Sequence, residues 1–415
     1  MKIYNRNILP EIISDIKTRK IQILLGTRQV GKTTILNLIE KHLKYKKEQV
    51  LKINLERPEF LKILNTTQSI VNFLEISGFS VNKKIYLLLD EFQSFIGIDK
   101  VLKILYDEYP FIKIIATGSA SLLINRDIKE GLTGRNIIYY IYHFDFLEYA
   151  NTKKDRTVVN MINFDKFIDI PITQTFLEEY LLFGGYPEII LHPFIKMKQK
   201  LFSSIYTSYL HKDINFFINK RMILRFSALV ELLANHIGAL VNINSLSQTL
   251  GIYHKTIENF IFVLEQTFSI QPIQPFCRNK EKEIRKMKKI YFYDLGLRNY
   301  VLKLQNLPIN LGNLAENFVF LEIIRNHDFN IKYWRTKHGT EIDFILEKNN
   351  EIIPIEVKYR NNINVNIIPA NIKSFIEQYD VKKAYIVTKN QQNILNYKRK
   401  EIIFLPIILV RNISF

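Results

Sequence analysis

Three charged side chains near the C-terminal end of the chain stand where an ordinary β-hairpin would not put them. In TEIDFILEKNNEIIPIEVKY, residues 340–359, two apolar-rich runs flank a polar turn. Yet Asp343 lies inside the first run, and Glu356 and Lys358 lie inside the second. Residues two apart in a strand share a face, so Glu356 and Lys358 point to one side of the sheet, as do Glu341 and Asp343. The 13-residue step from Asp343 to Glu356 is what a short hairpin needs to bring the two acids together. Upstream, LGNLAENFVFLEIIRN (311–326) has an apolar stripe at 314, 318, 321 and 324, with Glu316 off that stripe. One helix acid, one strand acid and an E-x-K pair on the neighbouring strand suit phosphodiester chemistry. Asp343 and Glu356, with Glu316 behind them, are hard oxygen ligands for one or two Mg²⁺ ions. Lys358 would position or activate water, or stabilise developing charge. Carboxylates and a lysine buried this close are costly without a metal or a salt-bridge network. The alternative is a fold that keeps these residues as a nucleic-acid grip without cutting.

A second set of chemical residues lies near the start. IQILL runs into GTRQVGKTT, and the helical pattern TILNLIEKHL follows. This is the G-x-x-x-x-G-K-[ST] phosphate loop in strand–loop–helix context. Gly26, Thr27, Arg28, Gln29, Val30, Gly31, Lys32, Thr33 and Thr34 would cradle the phosphates of ATP with backbone N–H groups and a helix N-terminus. Lys32 would reach the outer phosphates, and the Thr33 hydroxyl would ligate Mg²⁺. KKIYLLLDEFQ (83–93) is a buried-type strand ending in Asp90, placed to hold Mg²⁺ through water, and Glu91, placed to orient the attacking water. FIKIIATGS (111–119) ends in Thr117, Gly118 and Ser119. Ser119 either contacts the terminal phosphate or caps a helix. GLTGR (131–135) offers Arg135 as an arginine finger, in its own subunit or a neighbour's, or as a surface arginine in a turn.

GTRQVGKTT, LLLDEFQ, TGSAS, LTGR, HFDFLEYA and FGGYPEII, in this order, resemble the AAA-type P-loop ATPases of archaea and bacteria that carry a poorly characterised C-terminal half. The EIDF…IEVK pattern resembles the PD-(D/E)XK nuclease superfamily, including archaeal Holliday-junction resolvases, with Ile342 in place of the proline. Between them, SLSQTLG and YHKTIENFIFVLEQ read as two helices around a glycine turn, a helix-turn-helix. Tyr253, His254, Lys255, Thr256 and Asn259 are its candidate groove-facing residues, with Glu258 opposing close phosphate approach. After it, PFCRNKEKEIRKMKKIYFYDLG reads as a β-wing with seven basic and two acidic residues between Arg278 and Lys289, suited to DNA phosphates. Tyr293 and Asp294 echo a motif of the same ATPases.

The expected fold is therefore α/β and multidomain. A P-loop AAA-type parallel sheet with flanking helices spans 1–150, and a helical connector spans 151–222. A winged-helix domain follows over 223–303, then a small α/β PD-(D/E)XK nuclease-like domain over 304–415. The net charge of +18, from 58 basic and 40 acidic side chains, favours a polyanionic partner, here DNA, although the Ile, Asn and Lys richness also fits AT-rich coding bias. A lone Cys277 excludes an internal disulfide. With no apolar run long enough to span a bilayer, a cytoplasmic protein without membrane contact is expected. A homo-oligomer and a further protein partner are both compatible with the sequence. Three functions compete: an ATPase that gates a DNA nuclease, a nucleotide switch with an inert nuclease fold, and a DNA-binding regulator.

Overall fold

The computed structural model describes residues 4, 6–63, 66–95, 97–119, 132–215, 217–277 and 287–414. The chain divides into two compact units: residues up to His143 with Gln266–Phe268, and Phe144–Glu265 with Ser269 onward.

The first unit is a five-stranded, all-parallel sheet built from β1 (Ile21–Gly26), β2 (Gln49–Asn54), β3 (Ile85–Asp90), β4 (Ile112–Ser119) and β5 (Asn136–Tyr140), in the order β2-β3-β4-β1-β5. β1, β3 and β4 are buried throughout, as continuous apolar runs in a sheet covered on both faces require. The pleat sorts their side chains. Ile23, Leu25, Leu87 and Ile114 pack with Leu102 and Leu105 of α2 (Ile98–Glu108). Leu24, Leu88 and Ile115 pack with Ile35, Leu36 and Ile39 of α1 (Lys32–Tyr45) on the other face. Because β1, β4 and β3 are neighbours and parallel, Gly26, Ser119 and Asp90 end side by side. That is the arrangement expected of a P-loop AAA-type sheet.

The second unit begins with a capped helix, α3 (Phe146–Thr152). The Asp145 side chain accepts from the Glu148 N–H at 2.7 Å, and Glu148 reciprocates on the Asp145 N–H at 3.1 Å. HFDFLEYA thus straddles the contact boundary, with His143 in the first unit and Phe144 onward in the second. Its aromatic face belongs to the second core, with Phe146 edge-on to Tyr180 and Phe318 at 5.6 Å each. The connector is likewise helical and packed, Tyr186, Ile189, Phe202 and Ile205 forming their own cluster.

Further along come α4 (Ile223–Asn235), α5 (Ile243–Leu250), α6 (His254–Gln266) and the antiparallel pair β6 (Ile270–Pro275) and β7 (Lys289–Phe292). After α7 (Gly312–Asn326) follow β8 (Asn330–Arg335), β9 (Glu341–Lys348), β10 (Glu351–Lys358), α8 (Ala370–Gln378), β11 (Lys383–Thr388), β12 (Asn393–Tyr397) and β13 (Lys400–Pro406). One sheet runs across the expected segments 223–303 and 304–415. β6 pairs in parallel with β8 through Gln274↔Lys332 and Pro275↔Tyr333, so the wing strands extend a single mixed sheet of eight, β12-β13-β11-β10-β9-β8-β6-β7. Among the described residues, no helix is long and apolar enough to cross a membrane.

α7 anchors this unit by charge as well as by packing. Its Glu322 accepts from the Phe146 N–H at 3.0 Å, and its Arg325 donates to the carbonyls of Phe144 at 3.0 Å and Tyr293 at 2.8 Å. Burial, then the neighbouring Asp145 charge, push the Glu322 carboxyl up to about 8. An unfolded chain would lose that proton near the ordinary glutamate value, so the native state binds more protons between about pH 4.5 and 8, and stability falls as pH rises through that window. Glu322→Gln removes the slope while keeping an acceptor for Phe146. Relative to wild type, the variant should gain on the order of a few kcal/mol between pH 5 and pH 8. Denaturant melts at both pH values check this; wild-type and variant stabilities that move in parallel refute it.

Candidate nucleotide-binding and acidic sites

In the loop after β1, Gln29 and Gly31 have φ of 62° and 96°, the left-handed region that lets successive N–H groups turn inward. Gly26 is required by close approach, since a Cβ there would lie 2.2 Å from the Ile141 carbonyl oxygen. Gly31 is the N-cap of α1, and no side chain caps that end. Lys32 is buried and donates to the carbonyls of Gly26 at 3.0 Å and Thr27 at 2.8 Å, which holds its ammonium at the loop. Val30 is buried, Arg28 half-buried, and Thr33 and Thr34 face out from the first turn of α1.

From the neighbouring strands, Asp90 accepts from the Thr33 hydroxyl at 3.1 Å and from the Thr117 hydroxyl. A hydroxyl and a carboxylate facing each other are hard oxygen donors that fit Mg²⁺, which keeps several waters and takes few protein ligands. Glu91 sits at φ 54°, strained for a side chain of its kind, with its N–H on Thr117 Oγ1 at 3.2 Å. Its carboxylate accepts from the Gln93 amide, whose oxygen in turn accepts from the Ser119 N–H at 3.2 Å. Asp90, Glu91, Thr117 and Ser119 are thus brought together, and Gln93, which sequence reasoning passed over inside LLLDEFQ, links them.

Two further supports were not foreseen. Arg6, buried, donates to the Val30 carbonyl at 2.8 Å and the Tyr142 carbonyl at 2.6 Å. His143, also buried, lies 3.3 Å from the Thr27 hydroxyl. Arg135 is a correction. Its backbone pairs with Ile21 at the start of β1, the far end of the sheet from the loop, and its guanidinium grips Asp107 through two bonds of 2.9 Å. A role on phosphate within its own chain is not what this position provides.

In the second unit the hairpin forms as expected. The β9–β10 ladder runs to Phe344↔Ile355, one step short of Asp343 and Glu356. Asp343 Oδ2 accepts from the Val357 N–H at 2.7 Å, and Glu356 Oε1 pairs with Lys358. Glu356 Oε2 is buried with no hydrogen-bond partner among the described residues. Burial, then the Asp343 charge, push the Glu356 carboxyl up to about 7, against the pull of Lys358 and Asn371. Glu316 is raised to about 7 by burial and Asp343, and Asp343 itself is raised by burial.

Lys289 changes the reading of this cluster. Expected on a solvent-exposed basic wing, it is almost wholly buried, with its ammonium 2.5 Å from Glu341, 3.2 Å from Glu316 and 3.9 Å from Asp343. Burial alone would lower its pKa, but Glu316, Asp343 and Glu341 outweigh that and raise it. Tyr291, two residues on and so on the same face, donates to Glu316 at 2.5 Å. Asn317 fixes β7 to α7 by exchanging two bonds of 2.8 Å with the Phe292 backbone. Among the described residues, no three His, Cys, Asp or Glu side chains stand in a metal-holding group. Asp343 Oδ1 is the oxygen 3.9 Å from Lys289, and Glu356 Oε2 is the carboxylate oxygen of this cluster that is buried without a hydrogen bond among the described residues.

The two expected helices on either side of a glycine form, as α5 and α6. α5 ends at Gly251 (φ 62°), and Tyr253, His254, Lys255, Glu258 and Asn259 are exposed around α6, with Thr256 half-buried. The basic tip 278–286, including Lys286, lies outside the described residues. The Asp294 of YDLG is an N-cap. It accepts from the Leu297 N–H at 2.8 Å and, across from FGGYPEII, from the Gly185 N–H at 2.7 Å. That contact explains both motifs as structural.

Residues 18–150 match a family model described as an AAA domain. Residues 174–307 and 311–409 match two domains of unknown function, DUF8612 and DUF4143. The chain is 25% identical to an uncharacterized protein of Haemophilus influenzae over 86% of this chain and 87% of that one. It is 27% identical to an uncharacterized protein of Methanocaldococcus jannaschii, MJ1544, over 85% and 77%. Among solved structures it is similar to a Walker-type ATPase of Pyrococcus abyssi, at 15% identity over 72% of this chain and 96% of that chain, TM-score 0.48. It is also similar to the replication initiator DnaA bound to AMPPCP and single-stranded DNA, at 14% identity over 64% and 89%, TM-score 0.30.

Proposed function

We propose that the protein binds ATP with Mg²⁺ on the loop of residues 26–34, hydrolyses it, and couples this to action on DNA through a metal-dependent, nuclease-like acidic site. The observation that carries the first part is the meeting of Thr33 and Asp90 at 3.1 Å beside a buried Lys32. Lys32 would exchange its bonds with loop carbonyls for phosphate oxygens. Glu91, held by Gln93, would orient the attacking water and take its proton, with Ser119 beside the terminal phosphate. Mg²⁺ supplies charge neutralisation at the phosphates. At the acidic site, Asp343 and Glu356 would hold the cation, which makes a bound water a better nucleophile. Lys358, paired with Glu356, would position that water. The net charge of +18 supports DNA as the polyanion.

The pairing of Lys289 with Glu316 and Glu341 favours a second reading, a nucleotide-dependent switch on an inert nuclease fold. Turnover of ATP measured with and without duplex and branched DNA, alongside release of ADP, separates the two. Stimulation by DNA supports the coupled enzyme. Slow turnover indifferent to DNA, with ADP retained, would leave only the switch.

A further inference from the structure

Four carboxylates and two buried or half-buried ammonium groups crowd one face of the second unit: Glu316, Glu341, Asp343 and Glu356 with Lys289 and Lys358. The two lysines do not play the same part. Lys358 comes from the interior hairpin strand that carries Glu356 and stays about one-third exposed, whereas Lys289 comes from β7, at one edge of the sheet, and is sealed in. Its position is fixed from two sides. Asn317 ties the β7 backbone to α7, and Tyr291 holds Glu316 toward the ammonium. An amino group bound this way is a permanent charge with oxygen neighbours on the side where a hard cation would otherwise sit.

We propose that Lys289 is a built-in cation of the acidic site: its ammonium takes the place of one divalent ion among Glu316, Glu341 and Asp343, and confines metal binding to a single ion between Asp343 and Glu356. This rests on the reading that the site takes a divalent cation at all. A metal bridging Glu316 and Asp343 would lie against the ammonium, and two cations at that spacing repel strongly where water is excluded. On the other side, Glu356 Oε2 is nine-tenths buried, has no hydrogen-bond partner among the described residues, and is close enough to Asp343 for the two charges to disfavour each other. That side is short of a positive charge. The proposal also gives the wing strand a task distinct from phosphate contact, since it delivers Lys289 and Tyr291 to the site.

The test counts Mn²⁺ bound to the nucleotide-free full chain by the paramagnetic resonance of the free ion. Asp90→Asn is present throughout, so that the phosphate-loop side contributes none. The expected result is one ion in the parent and two in Lys289→Met, where the freed carboxylates form a second site. One ion in both, or two in the parent, overturns the role of Lys289 and leaves the metal reading intact. None in the parent but one in Lys289→Met keeps Lys289 as the site's cation and ends the metal reading for the natural chain. None in either ends both. If Lys289→Met does not fold, Glu316→Gln serves instead. With Glu316 committed to Lys289 and Tyr291, its loss should shift the Mn²⁺ affinity by less than about threefold, against a loss above roughly 30-fold for Asp343→Asn. Equal losses in those two variants overturn the proposal.

Discussion

Lys32→Ala is expected to abolish ATP binding, and Glu91→Gln to leave binding intact while stopping hydrolysis. The first follows from where the ammonium is held. Lys32 is buried at the loop, bonded only 3.0 and 2.8 Å from the carbonyls of Gly26 and Thr27, so it meets phosphate oxygens without crossing solvent. A charge-assisted contact to a polyphosphate in that setting is among the strongest single interactions available, and its loss should weaken ATP binding by about 100-fold or more. Glu91 differs in kind. Its carboxylate is oriented by Gln93, which also holds the Ser119 N–H. Glutamine at 91 keeps the size and loses the base, so turnover should fall by about 10²- to 10³-fold at unchanged affinity. Fluorescent-nucleotide titration and phosphate release measure the two separately. Wild-type affinity in Lys32→Ala would overturn the loop assignment, and full turnover in Glu91→Gln would remove Glu91 as the water-orienting acid.

What the sequence disclosed and what it hid divide along the range of the interactions. The phosphate loop, Asp90 and Glu91 are legible because each ends a continuous apolar run. Parallel strands that are buried on both faces write themselves as such runs. Asp343, Glu356 and Lys358 are legible because a strand has period two and a hairpin folds locally. Arg135 misled for a topological reason: its place depends on β5 adding parallel to β1 with Asn136 opposite Ile21, which puts the arginine at the wrong end of the sheet. Lys289 misled because a lysine in a run of basic residues reads as solvated. Its partners lie 27, 52 and 54 positions downstream, at Glu316, Glu341 and Asp343, and only the pairing of β6 with β8 brings them within reach. Arg6 carries no motif, and His143 opens HFDFLEYA with no spacing that ties it to the loop. Their work is to hold Val30 and Thr27 from outside the loop, and nothing in local spacing announces it. An amphipathic helix start likewise does not say which core its apolar face will join, and α3 joins the second.

Asp343→Asn should eliminate Mg²⁺-dependent cutting of DNA while leaving the fold in place. The substitution is conservative where structure is concerned. Asp343 Oδ2 accepts from the Val357 N–H at 2.7 Å, and an asparagine carbonyl can accept the same bond. Lys289 stands 3.9 Å from Asp343 but 2.5 and 3.2 Å from Glu341 and Glu316, so its ammonium keeps its nearer partners. What is lost is the negative charge of the Asp343 carboxylate, and a neutral amide is a poor ligand for Mg²⁺. Cutting should therefore drop on the order of 10³-fold, with thermal stability close to wild type. The measurement compares both proteins on linear, supercoiled and branched DNA with Mg²⁺ or Mn²⁺, with and without ATP. Cutting that survives in Asp343→Asn would place the chemistry elsewhere. Cutting by neither protein on any substrate would make the acidic cluster an ion-paired framework closed by Lys289, and the ATP-driven switch would then be the protein's function.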